Sequence, residues 1–223
     1  MAKLIITIDG PAGSGKSSTA KLLAARLGAA FLDTGAMYRA VTLAAMQSRC
    51  DLADTAQLEK IVDSTNFKFE IKDNRMTVKI NGSDFTEKIR DPQVTANVSA
   101  VASMPSLRKR LVPIQRAFAG QYEKIVAEGR DQGTVVFPNA DFKFFLTADG
   151  VERAKRRAKE LTENGYKVDT NKLQTEIEKR DRQDSTRKVS PLIAAADAIK
   201  VDTTSLTLEQ VVEKILGLIK KND

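Results

Sequence analysis

The chain has 223 residues, of which 42% are hydrophobic and 29% charged, with a formal net charge of +7, one cysteine and no histidine. This length suits one well-packed domain, and the composition excludes a disulfide framework, a cysteine-rich zinc site and catalysis by Ser-His-Asp or Cys-His groups. No apolar run approaches the roughly 20 residues that span a bilayer, and the first residues lack a signal-peptide pattern, so we expect a cytoplasmic protein.

Strand and helix patterns alternate along most of the chain. β-branched residues over 3–9 predict a buried strand, and a helical pattern follows over 16–28. Alternating apolar residues flank Asp73 and Asn74 and predict an antiparallel hairpin of 67–71 with 76–80. The other predicted strands are 31–32, 124–128, 142–147 and 198–202, and the other predicted helices are 35–48, 55–65, 91–103, 105–120, 150–163, 170–186 and 207–220. The pattern predicts an α/β fold with a parallel sheet covered by helices on both faces.

Residues 10–17 read GPAGSGKS and match the phosphate-binding loop pattern G-x-x-x-x-G-K-[ST] between a strand and a helix. Glycines let successive backbone N–H groups form an anion nest at the start of the helix. Lys16 would carry positive charge to the β- and γ-phosphates, and the Ser17 hydroxyl would bind Mg²⁺. The predicted ATP-binding residues of this segment are Gly10, Pro11, Ala12, Gly13, Ser14, Gly15, Lys16, Ser17 and Ser18.

The class of P-loop protein is narrowed by what the rest of the sequence holds. We find no N-K-x-D guanine signature, which a GTPase would normally carry. A motor ATPase would have a hydrophobic strand that ends in Asp or Asp-Glu, and the comparable strand, IVAEGRD, ends differently. A small-molecule kinase fits best. Three residues, Arg180, Asp184 and Arg187, recur at i, i+4 and i+7 of a predicted helix. The carboxylate would orient both guanidiniums as a clamp for phosphate and ribose, whereas a solvated ion-pair ladder is the alternative.

A further pair, Arg130 and Asp131, follows a strand end and Gly129, where open α/β sheets place their ligands. We expect the Asp131 carboxylate to orient Arg130.

Four blocks together resemble the bacterial cytidylate kinase family, in the same order and over nearly the whole chain. They are IDGPAGSGKSS near the N-terminus, LDTGAMYR at 32–39, EGRDQGTVVFP at 128–138 and RDRQDSTR at 180–187. The resemblance implies a P-loop NTPase-type kinase that moves the γ-phosphoryl group of ATP to CMP or dCMP with Mg²⁺. It also implies an acceptor-binding insertion at about 60–110, which holds the hairpin, and a helical lid at about 149–187.

The resemblance also implies roles for individual residues. Arg39 would hold the acceptor phosphate, beside Thr34 and Tyr38 of the same block, where Thr34 replaces a serine common in the family. Arg180 and Asp184 would contact the sugar hydroxyls. Asp131 would select the base, because a carboxylate accepts a hydrogen bond from the amino group of cytosine and repels the carbonyl of uracil, with Arg108 donating to the ring and Ser99 assisting. The implied lid residues are Arg156, on adenine, and Arg153 and Arg157, on phosphate. The implied catalytic residues are Lys16, Arg130 and Arg187.

Two other functions stay open at this point. One is a P-loop kinase for another small acceptor, such as UMP or a shikimate-like alcohol. The other is a nucleotide-gated nucleic-acid-binding protein, for which the sequence offers no aromatic platform because it has no Trp and three Tyr. We therefore expect a monomer that binds ATP and CMP or dCMP, with no nucleic-acid or membrane partner.

Overall fold

The computed structural model describes residues 4–72, 75–163 and 165–221. The predicted turn at Asp73 and Asn74 lies outside these residues. The eight strands of the described part are β1 Leu4–Asp9, β2 Ala30–Asp33, β3 Phe67–Lys72, β4 Arg75–Ile80, β5 Ser83–Asp84, β6 Lys124–Gly129, β7 Phe142–Thr147 and β8 Ile199–Asp202. Its eight α-helices are α1 Lys16–Leu27, α2 Thr34–Gln47, α3 Thr55–Ser64, α4 Pro92–Ala102, α5 Pro105–Ala119, α6 Gly150–Glu163, α7 Thr170–Ser185 and α8 Leu208–Lys220.

The parallel sheet predicted from the sequence is confirmed. Its five strands lie in the order β2-β6-β1-β7-β8, and every neighbouring pair is parallel. β1 is the central strand, paired with β6 from Leu4 to Asp9 and with β7 from Ile6 to Asp9. Since all carboxyl ends meet at one edge of the sheet, the segments that follow β1, β2, β6 and β7 come together there.

Two apolar layers cover the sheet. On one face, Leu23 of α1 and Val212 of α8 pack with the sheet residues Ile6 and Phe144. On the other, α2 lies between the sheet and a small antiparallel sheet of β3, β4 and β5. The predicted hairpin is present in the register that pairs Phe69 with Val78.

Helix boundaries follow local sequence signals. The Asp33 carboxylate accepts from the Ala36 N–H and caps α2, and Pro105 starts α5 as the first helical residue, as its fixed φ favours. Two short turns were not predicted: a 3₁₀ turn at Lys88–Arg90 and a π-helical turn at Gln132–Val136. Within the described ranges, no helix combines the length and apolarity needed to cross a membrane.

Candidate active site

A cleft of about 1370 Å³ opens at the carboxyl edge of the parallel sheet. Its volume exceeds the roughly 300–1,000 Å³ of a typical single-ligand pocket, so it has room for two nucleotides. Most residues predicted from the sequence line it together. They are Ala12, Gly13, Ser14, Gly15, Lys16, Ser17, Ser18, Thr34, Tyr38, Arg39, Ser99, Arg108, Arg130, Asp131, Arg156, Arg157, Arg180, Asp184 and Arg187. The predicted residues Gly10, Pro11 and Arg153 lie beside this cleft without lining it.

The glycine-rich loop joins β1 to α1, as predicted. Gly15 adopts the left-handed conformation with φ 83° and starts α1 without a side-chain cap, so the first N–H groups of the helix face the cleft. At Gly13, φ is +74°, and a Cβ would lie 2.8 Å from the backbone oxygen of Arg153. A larger residue would therefore clash with the backbone of Arg153. The loop is thus shaped both for an anion and for close contact with α6.

Carboxylates accumulate at one side of this loop. The Ser17 hydroxyl donates to Glu128 Oε1 at 2.7 Å, and Glu128 is buried at the end of β6. Burial raises the pKa of Glu128, and the nearby Asp33 carboxylate raises it further. A hydroxyl and a buried carboxylate side by side form an oxygen donor set suited to Mg²⁺. The described residues contain no group of three or more His, Cys, Asp or Glu side chains that could hold a metal ion.

Lys16 is buried with its Nζ 3.2 Å from the Pro11 carbonyl oxygen. Burial holds the pKa of Lys16 well below its usual range, and the positive charge of Arg130 lowers it further. The negative charge of a polyphosphate beside Lys16 would oppose both effects and raise the pKa. The ammonium form is therefore favoured when nucleotide is bound.

This shift predicts proton uptake when ATP binds. At about pH 8 the phosphates of ATP are already ionised, so any proton taken up enters the protein. Because the pKa of Lys16 rises on binding, ATP affinity should fall as pH rises through the interval between the free and bound values. Calorimetry in two buffers of different ionisation enthalpy measures the uptake. The uptake should vanish in Lys16→Ala, and persistence there would assign it to another group.

Asp184 joins two arginines, of which the helical spacing predicted Arg187 but not Arg130. Its carboxylate accepts from Arg130 Nε at 2.8 Å and from Arg187 Nη2. Arg180 makes no ion pair with it within the described residues. α7 ends at Ser185, so Arg187 lies two residues beyond the helix. The expected partner changes because Arg130 enters from the end of β6 and occupies the carboxylate oxygen.

Two guanidiniums in the cleft lack a carboxylate partner among the described residues. The pKa of Arg180 is lowered to about 9, chiefly by burial and also by repulsion from Arg130 and Arg39. Burial likewise lowers the pKa of Arg39 to about 10, although Asp33 opposes this, and Arg39 donates to the Thr95 hydroxyl at 2.6 Å. This side of the cleft therefore holds more positive than negative charge, which an anion would balance.

A pocket beside these arginines is organised around a buried ion pair. Arg108 Nη2 donates to Asp131 Oδ2, and each side chain is 4% exposed. The Arg108 guanidinium also lies 5.3 Å from the centre of the Tyr38 ring. The buried Ser99 hydroxyl and Arg108 Nε have no hydrogen-bond partner within the described residues. Unpaired polar atoms of this kind fit a polar ligand.

This pocket corrects the expected pairing of Arg130 with its neighbour Asp131. Asp131 binds Arg108 from α5, and Arg130 binds Asp184 from α7. The backbone at Asp131, with φ −144° and ψ 24°, leads directly into the π-helical turn. The two neighbouring side chains therefore serve different parts of the cleft.

The three predicted lid arginines all lie on α6, but each has a partner. Arg153 Nη1 donates to the Ala12 carbonyl oxygen at 3.0 Å and to Asp181 Oδ2. Arg156 donates to the hydroxyl and carbonyl oxygens of Thr203 at 3.0 and 2.6 Å, and Arg157 pairs with Glu160 at 2.7 Å. Asp181 also accepts from the Ala12 N–H at 3.0 Å. The helices α6 and α7 are thereby tied to the phosphate loop.

Sequence reasoning missed Glu128, Asp33 and Arg90 as residues of the cleft. Arg90 Nη2 donates to Asp33 Oδ2 at 3.0 Å. A signal for the two carboxylates exists, since each closes a short apolar strand at the sheet edge where ligands bind. Arg90 has no such signal because the 3₁₀ turn that presents it is not evident from the sequence.

Known proteins resemble this chain over its full length. Residues 6–221 match the family model described as cytidylate kinase. Relatives named cytidylate kinase include those of Caldicellulosiruptor bescii, 47% identical over 99% of this chain and 97% of the relative, and Pelotomaculum thermopropionicum, 49% identical over 96% and 95%. That of Enterococcus faecalis is 47% identical over 99% and 97%.

Among solved structures, a shikimate kinase from Bacteroides thetaiotaomicron covers 97% of this chain and 98% of its own, with 13% identity and a TM-score of 0.48. At that score the likeness carries no argument about activity. The family match and the near-complete relatives do bear on activity, because they span both the phosphate loop and the arginine-rich side of the cleft. On this evidence the chain belongs to the cytidylate kinase family.

Proposed function

We propose that the chain is an ATP-dependent kinase that transfers the γ-phosphoryl group to CMP or dCMP and releases ADP with CDP or dCDP. The observation that carries the proposal is the excess of positive charge opposite the phosphate loop. Arg39 and Arg180 lack carboxylate partners among the described residues, while Arg130 and Arg187 share a single carboxylate. A nucleotide phosphate placed there faces the γ-phosphate of ATP on the loop.

The chemistry needs no general base, since the attacking acceptor phosphate oxygen is already anionic. Catalysis then comes from positioning two phosphates and from neutralising the charge of the transferring group. Lys16 supplies charge from the donor side, and Arg130 with Arg187 supply it from the acceptor side. The ties from α6 to the phosphate loop support a role for this helix in excluding water from the reaction.

Mg²⁺ belongs to this proposal as the ion of the nucleotide. The Ser17 hydroxyl would hold it, with the Glu128 carboxylate 2.7 Å away to orient that hydroxyl or a bound water. The ion would add charge stabilisation at the phosphates. Asp33 adds a second negative group near Glu128.

The Arg108–Asp131 pair supports cytosine as the base. An ionised Asp131 offers only acceptor oxygens, which suit the amino group of cytosine and repel the carbonyl oxygen of uracil. Arg108 can donate to the ring carbonyl or to the ring nitrogen through the Nε–H that has no partner within the described residues. The buried Ser99 hydroxyl adds a further polar atom to the pocket.

Asp131→Asn tests this assignment. The amide can donate toward the uracil carbonyl and no longer offers two acceptors, so the preference for CMP over UMP should fall roughly ten- to a hundredfold. Most of the change should be lost CMP activity, because the buried Arg108 loses its carboxylate. The measurement is kcat/KM for both nucleotides.

Asp63→Asn is the matched control. Asp63 also pairs with an arginine of α5, Arg110, but its side chain is 60% exposed and outside the cleft. This control should leave the CMP to UMP ratio unchanged. An unchanged ratio in Asp131→Asn as well would show that base identity is read elsewhere in the pocket.

A further inference from the structure

Asp9 is a buried carboxylate that the proposed chemistry does not use. It is the last residue of β1, directly before the phosphate loop, and is 4% exposed. Its Oδ1 accepts from the Gln132 N–H at 2.9 Å, and its Oδ2 accepts from the Gly133 N–H at 2.8 Å. Both carboxylate oxygens are thus bound to the backbone of the segment that follows β6.

That segment carries the two residues assigned to the acceptor nucleotide. Arg130 and Asp131 immediately precede the two N–H groups that Asp9 binds. The segment turns sharply there into the π-helical turn Gln132–Val136. Holding the start of this turn therefore fixes where the two preceding side chains leave the backbone.

The same segment is also held from the side of α2. Gln132 Nε2 donates to the Thr34 hydroxyl at 3.2 Å, and that hydroxyl donates to the Glu128 carbonyl oxygen at 2.7 Å. A Cβ on Gly129 would lie 2.6 Å from Gln132 Nε2 and 2.7 Å from the Thr34 hydroxyl, so a larger residue there would displace these two side chains. Packing this close leaves the segment little freedom once Asp9 holds its other side.

Keeping a carboxyl group here has an energetic cost. The pKa of Asp9 is raised to about 7, chiefly by burial and also by the negative charge of Asp131, although the two backbone N–H groups oppose the rise. An apolar residue would avoid this cost but could not accept hydrogen bonds from the two neighbouring N–H groups. The geometry calls for two acceptor atoms, which a carboxylate supplies.

We propose that Asp9 is a positioning residue that sets Arg130 and Asp131 against the phosphate loop, and so couples the acceptor site to the donor site. It does not line the cleft. The inference rests on the proposed function. Turnover of CMP by the wild-type protein is therefore measured first, and its absence would reject the proposed function independently of any variant.

The test is Asp9→Asn, which has the same shape but places an amide donor against one of the two N–H groups. We expect KM for CMP to rise about tenfold, as for a buried donor left without its acceptor. KM for ATP should stay within about twofold, because the phosphate loop keeps its own bonds. The preference for CMP over UMP should fall as well, since Asp131 shifts with the backbone.

Asp141→Asn is the control for a general loss of stability. Asp141 also accepts a strand N–H, that of Ile5 at 2.7 Å, but at the opposite end of the same sheet. This variant should change neither KM nor the base preference. Equal increases in both KM values for Asp9→Asn, or a lower Tm with unchanged KM for CMP, would overturn the proposal.

Gln132→Ala keeps the proposal testable if Asp9→Asn does not fold. It leaves the backbone N–H groups in place and removes the side-chain link to Thr34. KM for CMP should again rise while KM for ATP holds, by a smaller factor than in Asp9→Asn. If KM for CMP and KM for ATP rise together in a folded Gln132→Ala protein, this segment does not position the acceptor-site residues separately from the phosphate loop, and the proposal would fail.

Discussion

Replacing Lys16 with alanine is expected to lower kcat by roughly 10²–10³, the loss typical of removing one preorganised charge-stabilising group. Lys16 is buried at the start of α1, and burial together with Arg130 lowers its pKa. The charged ammonium of Lys16 therefore contributes little to the stability of the free protein. The interaction becomes favourable when phosphate arrives, and most favourable when negative charge moves to the leaving oxygen. The measurement is kcat with both substrates saturating, alongside a thermal unfolding curve.

Lys214→Ala serves as the control for this prediction. Lys214 is exposed on α8 and does not line the cleft, so its removal should alter neither turnover nor Tm. A folded Lys16→Ala protein with kcat within about twofold of wild type would remove the phosphate loop from the reaction.

Asp184→Ala is expected to reduce the free energy of unfolding by about 3–5 kcal/mol, the usual range when one partner of a buried ion pair is removed. The Asp184 side chain is 1% exposed and binds both Arg130 and Arg187. Its removal leaves these guanidiniums next to Arg180, whose pKa is already lowered by burial and by neighbouring positive charge. Urea denaturation measures the loss.

The pH dependence of the same experiment has a definite sign. Burial opposes ionisation of Asp184, but Arg130 and Arg187 outweigh it, so the pKa of its carboxyl lies below the usual value. The stabilisation is therefore complete above the unfolded pKa, about 3.9, and is lost as pH falls through the lower folded value. The difference between wild type and Asp184→Ala should shrink accordingly in acid.

Glu213→Ala is the control for Asp184→Ala. Glu213 pairs with Arg26 at 3.0 Å, with both side chains at least half exposed, and such pairs contribute about 0–1 kcal/mol. A loss of this small size in Asp184→Ala would mean that solvent reaches the cluster and that the arginines need no carboxylate.

The sequence predicted the fold well because the relevant signals are local. The strand-loop-helix order predicted the phosphate loop, and the alternation over 67–71 and 76–80 predicted the hairpin. Pro105 predicted the start of a helix. The family resemblance then placed Arg39, Ser99 and Arg108 within one cleft, which no local pattern indicates.

Pairings between distant elements were the part that sequence could not supply. Helical spacing favoured Arg180 as a partner of Asp184, yet Arg130, 54 residues earlier, takes that position. Glu128 binds Ser17 across 111 residues. Such contacts depend on how the sheet orders its strands, and periodicity within one segment carries no information about that order.

The neighbouring strands β2 and β6 are joined by the longest excursion that the chain makes from the parallel sheet. Between Asp33 and Lys124 lie four helices and the small antiparallel sheet, yet the sheet itself requires only that the two ends meet in register. Lengthening such a connection adds little to the entropic cost of bringing its two ends together. The acceptor side can therefore be remodelled over evolution, by insertion or replacement, while the donor loop and its hydrogen-bonded frame remain as they are.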